Sequence, residues 1–132
     1  MIKRCDVKEL DGRSYRCFFE LTLQVIGGKW KPIILYHLWI EKVLRFGALR
    51  KTMPGITQRM LTKQLRELEA DNLISRTAYN EVPPRVEYAL TELGESVIPI
   101  FTAMKEWGIQ FEKSMAGKQI VGEQYESIED VE

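Results

Sequence analysis

Gln58, Arg59, Thr62, Lys63 and Arg66 crowd into nine consecutive positions and are the side-chain types that recognise an anionic polymer. A glutamine amide donates and accepts at once, which matches the N6 and N7 edge of adenine. An arginine fork does the same for guanine O6 and N7, and such a bidentate pair discriminates by roughly 1–3 kcal/mol. Lys63, Arg66 and the hydroxyl of Thr57 are suited to phosphate oxygens, which fix register without reading sequence. Arg59, Thr62, Lys63 and Arg66 recur at i, i+3, i+4 and i+7, the spacing of one helical face. Leu61, Leu65 and Leu68 recur at i, i+4 and i+7, within about 60° of arc and roughly 150° from the centre of the polar stripe. Such a helix has an aliphatic back to bury and a cationic edge to present. A plain solvated surface helix shows the same two faces, so the flanking elements must discriminate.

Thr57 stands where an N-cap belongs, its hydroxyl able to accept from an orphan backbone N–H. Before it, Phe46, Leu49 and Met53 mark a short helix, and Pro54-Gly55 forces a turn. A short helix, a tight turn containing glycine and an amphipathic helix form a helix-turn-helix pattern. Asp71-Asn72 closes the second helix. LISRTAY then has β-branched and aromatic residues, NEVPP is a turn, and RVEYAL alternates apolar and polar residues. This is a β-hairpin directly after the candidate recognition helix, a wing, with Arg76 near its start and Arg85 at its tip placed for phosphates or the minor groove.

Upstream, residues 1–16 carry charge and Gly12 without a clear period and read as an N-terminal arm, partly helical. From Cys17 the pattern sharpens: Phe18, Leu21, Val25 and Ile26 lie at helical spacing, and Gly27-Gly28 ends the helix. A second helix carries Ile33, Ile34, Leu35, Leu38 and Trp39, with Pro32 tolerated in its first turn. Lys29 and Lys31 at its start are further candidates for the DNA backbone, or for plain solvation. Downstream, Thr91 caps a long helix bearing Leu93, Val97, Ile100, Phe101, Met104, Trp107, Phe111 and Met115, which Pro99 should kink. That stripe exceeds what one small domain needs. The surplus predicts a homodimer in which Val97, Phe101, Met104, Trp107 and Phe111 pair with the partner's first helix through Phe18, Leu21 and Val25.

Bulk numbers bound the reading. A chain of 132 residues with 45% apolar content is one domain, or one domain with tails. No apolar run approaches the roughly 18 residues of a membrane span, and the N-terminus has no apolar stretch after its basic residues, so neither a membrane protein nor a secretory signal is expected. A cytoplasmic, reducing setting follows, and Cys5 and Cys17 are expected as thiols. Two cysteines and the single His37 are too few for a zinc site, and no phosphate loop or nucleophile motif is present, so no metal, cofactor or enzyme activity is expected. The net charge of zero conceals a division: residues 118–132 hold five acids and one base, which leaves 18 bases and 14 acids in residues 1–117. A weakly basic body with an acidic tail fits a double-stranded DNA partner.

These motifs together resemble the HxlR-type winged helix-turn-helix regulators, relatives of the MarR group. The resemblance rests on Cys17, Glu20, Ile26-Gly27-Gly28-Lys29-Trp30, Arg45-Phe46, Leu49, Pro54-Gly55-Ile56, Leu61-Thr62, Leu65-Arg66-Glu67-Leu68-Glu69, Leu73-Ile74 and Arg76. It continues through Glu81-Val82-Pro83-Pro84-Arg85-Val86-Glu87-Tyr88 and Leu90-Thr91-Glu92-Leu93-Gly94, and spans about residues 17–115. It implies a mainly α fold with a small β-hairpin that dimerises through its N- and C-terminal helices; the arm over 1–16 and the acidic tail over 116–132 flank it. It also implies a repressor, which as a two-fold dimer is expected on a pseudo-palindromic operator, and a redox or electrophile sensor at Cys17; Cys5, in the arm, is a candidate resolving thiol. The chemistry needs a thiolate, which a helix N-terminus and the adjacent Arg16 favour. The alternatives are a winged-helix protein-interaction module and a regulator answering a small molecule at the dimer interface. Two positions depart from the family pattern: Cys-Pro is here Cys17-Phe18, and a Gly-Pro turn is replaced by Glu41-Lys42-Val43-Leu44.

Overall fold

The computed structural model describes residues 6–116. In chain order the elements are β1 (Lys8–Leu10), β2 (Arg13–Tyr15), α1 (Phe18–Ile26), α2 (Lys31–Glu41), β3 (Val43–Arg45), α3 (Phe46–Lys51), α4 (Gln58–Ala70), β4 (Ile74–Tyr79), β5 (Arg85–Leu90), α5 (Glu92–Glu95) and α6 (Ile98–Ser114). The acidic tail and Cys5 lie outside the described residues.

The expected partly helical arm is instead a hairpin over residues 8–15, with Lys8 opposite Tyr15 and Leu10 opposite Arg13. Its turn is Asp11-Gly12, at φ 49° and 79°. A two-residue hairpin turn of this hand needs both central residues left-handed, and Asp-Gly is a dipeptide that tolerates it. The hairpin is not loose. Tyr15 is buried, the Gln24 side chain donates to the Ser14 carbonyl at 2.8 Å, and Arg13 forms an ion pair with Asp71 at the end of α4. The hydrogen bond that Arg13 donates to Asp71 holds the guanidinium pKa above its ordinary value.

The core is built from helix backs. Ile34, Leu35 and Leu38 of α2 sit at its centre against Leu49 of α3 and Leu61, Leu65 and Leu68 of α4, all essentially inaccessible. The seam on α4 is therefore the anchor its spacing implied. α2 ends at Lys42, which takes φ 71°, and the chain turns directly into β3. That strand was not foreseen. It pairs antiparallel with β5, Val43 opposite Ala89 and Arg45 opposite Glu87, so the wing belongs to a three-stranded sheet of order β3-β5-β4. The segment that departs from the family's Gly-Pro pattern thus runs from the end of α2 into the wing's third strand.

The long C-terminal helix is also different from expectation. Pro99 does not kink it; the chain breaks into α5 and α6, and Pro99 occupies the first turn of α6. In an interior, proline removes a hydrogen bond and clashes with the preceding turn, whereas in a first turn the missing N–H has no partner to lose. α5 is fastened to the end of α4. The Thr91 N–H donates to the Leu73 carbonyl at 3.0 Å, its hydroxyl donates to the Asn72 carbonyl at 2.6 Å and accepts from the Gly94 N–H at 3.0 Å. Gly94 is required there, because a Cβ would stand 2.0 Å from the Leu73 carbonyl oxygen.

Candidate nucleic-acid interface

α4 starts at a built cap: the Thr57 hydroxyl accepts from the Met60 N–H at 3.0 Å, with Thr57 itself extended. A hydroxyl has one hydrogen and two lone pairs, so this cap leaves the Thr57 hydrogen available to a phosphate oxygen. The opposite holds for Thr62, whose hydroxyl donates to the Gln58 carbonyl at 2.8 Å. Bound that way, Thr62 offers lone pairs and meets a base amino group better than a phosphate. Gln58, Arg59, Thr62, Lys63, Arg66 and Glu67 line one open concavity along α4. Gln58, Arg59, Lys63 and Arg66 are exposed. From Gln58 to Arg66 the helix rises about 12 Å at 1.5 Å per residue, comparable to the width of a major groove.

A second concavity joins α4 to the wing. It is lined by Phe46, Thr62, Leu65, Arg66, Glu69, Arg76 and Tyr88, so Arg66 of the helix and Arg76 of β4 lie on one surface. The structure does not bring Arg85 into this cluster. Arg85 lies at the far end of the wing, opposite Tyr79 across the hairpin, where it pairs with Glu81 at 3.1 Å. Lys29 is exposed, its ammonium over the Trp30 ring at 4.6 Å.

Lys31 corrects the sequence reading. It is buried at the start of α2, and its Nζ lies 2.9 Å from Glu67 Oε2. It therefore meets α4 from inside and is withdrawn from any DNA backbone. Its partner Glu67 had no assigned role, and no sequence signal links positions 36 residues apart.

Cys17 is the N-cap of α1. Its Sγ accepts from the Glu20 N–H at 3.4 Å, and its backbone is extended at φ −144°, ψ 162°. A residue preceding proline is restricted to this region, so Phe18 in place of proline leaves the cysteine backbone where a Cys-Pro pair would hold it. Cys17 is half-buried, and Phe18 beside it is exposed, with the Lys8 ammonium 4.9 Å from its ring centroid.

Of the residues expected at a subunit interface, Val97 and Phe101 are in the protomer's own core. Leu21 and Val25 are half-buried, while Phe18, Met104, Trp107 and Phe111 are 70%, 55%, 63% and 50% exposed. Trp107 and Phe111 stack on each other at 5.3 Å. Phe19, Leu23 and Ile100, not singled out with them, are exposed on the same helices. Phe101 faces inward because it and Ile98 pack under α2, which leaves the outer stripe of α6 to Met104, Trp107 and Phe111.

The model of the HxlR-like helix-turn-helix family matches residues 25–116 of this chain. The chain belongs to the HxlR-like family. It is 58% identical over 92 residues to the HTH-type transcriptional regulator YybR of Bacillus subtilis (strain 168), covering 70% of this chain and 73% of that protein. Among solved structures, the redox regulator HypR in its oxidised form aligns at TM-score 0.67 with 56% identity, covering 71% of this chain and 96% of that one. Its reduced form aligns at 0.70 with 52% identity, covering 76% and 98%. The reduced form of the transcriptional regulator YodB from B. subtilis aligns at 0.63 with 30% identity, covering 78% and 98%. This HxlR-like chain is a DNA-binding transcription regulator of the winged helix-turn-helix type, and its relatives are named as regulators, a non-enzymatic role. No helix among the described residues is long and apolar enough to cross a membrane.

Proposed function

We propose that this chain is a homodimeric repressor that lays two copies of α4 into successive major grooves of a pseudo-palindromic operator and releases it when Cys17 is oxidised. The observation that carries the DNA-reading part is the exposed row Gln58, Arg59, Lys63 and Arg66 on a capped helix whose leucine back is fully buried. A rigid back matters, because base recognition requires the edge to be held in place before contact. Gln58 and Arg59 read bases; Thr57, Lys63, Arg66, Arg76 and Arg85 hold phosphates. Two-fold symmetry sets the half-sites about 10 bp apart, or a multiple of that. Phe18 of one protomer meeting Met104, Trp107 and Phe111 of the other supplies the dimer, and their exposure supports it.

Cys17 supports redox control by its place at a helix N-terminus beside the exposed faces of α1, and by likeness to regulators whose names or solved forms are redox-related. Cys5 is the only other thiol in the chain and is the resolving candidate within the dimer. A second reading has one observation of its own. A groove of about 360 Å³ between α2 and α6, lined by Ile33, Tyr36, His37, Ile40, Met104 and Lys105 among others, would admit a small amphiphilic effector.

The test is a salt series on a duplex selected by the wild-type protein and on a random duplex. Lys63→Ala weakens binding to both and lowers the slope of log K against log salt by about 0.9. Arg59→Ala weakens binding and also narrows the gap between the two duplexes. If both variants match the parent on both duplexes, α4 is not the reading element.

A further inference from the structure

The far end of the wing holds a cation that is already engaged. The Arg85 guanidinium carbon lies 3.9 Å from the Tyr79 ring centroid, a terminal nitrogen is 3.1 Å from the Glu81 carboxylate, and its Nε is buried without a hydrogen-bond partner among the described residues. Interaction with the neighbouring Glu87 carboxylate raises the Tyr79 phenol pKa above its ordinary value. Glu81 is the more open of the pair, with half of its side chain accessible against 28% for Arg85. Carboxylate and phosphate oxygens fit the same guanidinium fork. The guanidinium is thus fixed by its ring contact while its anion sits on the outside, at the exposed tip.

We propose that Glu81 is an intramolecular stand-in for a DNA backbone phosphate at Arg85, and that Tyr79 is the positioning residue that keeps the guanidinium in place while one anion is exchanged for the other. The proposal rests on the reading that the wing contacts phosphate, and it adds what Arg85 does before DNA arrives. An exposed ion pair is weak, so a phosphodiester displaces the carboxylate, and Glu81 damps binding to any sequence without preventing it. The wing is then kept from adhering to random DNA, and discrimination falls to α4.

Fluorescence anisotropy of the full-length chain on a duplex of fixed mixed sequence, across a salt series, tests this with Glu81→Gln, Arg85→Ala and the double variant. Glu81→Gln tightens binding about two- to fivefold, the range of an exposed pair, and steepens the salt slope by up to about 0.9. Arg85→Ala costs more in the Glu81→Gln background than in the wild type, by a comparable factor. Loss of a negative charge near DNA would by itself give additive effects, and additivity overturns the proposal. Arg85→Ala without effect in either background removes the wing contact itself, and the underlying reading with it. For Tyr79, the Phe variant keeps the ring and retains affinity in the Glu81→Gln background, whereas the Leu variant loses it. Equal affinities for those two remove Tyr79 from the mechanism. These side chains lie on an exposed hairpin, and circular dichroism confirms that each variant is folded.

Discussion

The Lys31–Glu67 pair should respond very differently to the loss of each partner. The Lys31 side chain is 10% exposed and the Glu67 side chain 40%, at an Nζ–Oε2 distance of 2.9 Å. Breaking a fully buried pair costs about 3–5 kcal/mol, because the remaining charge is stranded. Here the two ends differ. Removing Glu67 leaves an ammonium with little access to water, so Glu67→Ala should cost about 1–3 kcal/mol, the buried figure reduced for the half that is hydrated. Removing Lys31 leaves a carboxylate that water already reaches, and methionine fills the vacated stem. Lys31→Met should therefore fall within about 0.5 kcal/mol of wild type. Urea unfolding at fixed protein concentration reads this directly: with a slope near 2 kcal/mol per molar, a loss of 2 kcal/mol moves the midpoint by about 1 M at unchanged slope. DNA affinity should rank the other way. Lys31→Met leaves an uncompensated carboxylate in the concavity that holds Arg59 and Lys63, and so weakens binding in a folded, stable protein. Equal destabilisation by the two changes, or none from Glu67→Ala, would refute the assignment of Lys31 as the buried and dependent partner.

Gly94→Ala should destabilise by about 2–3 kcal/mol in thermal or urea unfolding, since its Cβ would stand 2.0 Å from the Leu73 carbonyl oxygen, a backbone atom that cannot rotate aside, and 3.3 Å from Leu90 Cδ2. Trp107→Asp should convert a dimer to monomers in sedimentation at micromolar concentration, with loss of operator affinity; a dimer that persists locates the interface elsewhere. Diamide, which takes two electrons and two protons from a pair of thiols, should lower wild-type DNA affinity about 5- to 150-fold, the usual span of an allosteric coupling. Cys17→Ser should be insensitive to it.

The helix-turn-helix and the wing were legible because each rests on a local signal: Pro54-Gly55, the Thr57 cap, the leucine period of α4 and the VPP turn between alternating strands. What was not legible needs either two distant segments or a competition between rules. Lys31 and Glu67 are ordinary charged residues in sequence, and only the folding of α2 against α4 buries one and leaves the other open. β3 is three residues long, too short for an alternation to register, and exists because β5 offers it an edge. Val97 and Phe101 share a stripe with Trp107, and periodicity cannot say which part of a wide stripe covers the protomer's own core. Two misses were avoidable. Asp11-Gly12 was a hairpin signal in plain view, and Pro99 is better accommodated at a helix start than in an interior.

Thr91, the cap of α5, hydrogen-bonds directly to the Asn72 and Leu73 carbonyls at the end of α4. In a dimer built on α6, the distance between the two reading heads is then governed by how the C-terminal helices seat on one another, some way from any base. A rotation at that seat would then be carried toward α4 through the Thr91 hydrogen bonds, and operator spacing would read helix packing rather than wing flexibility.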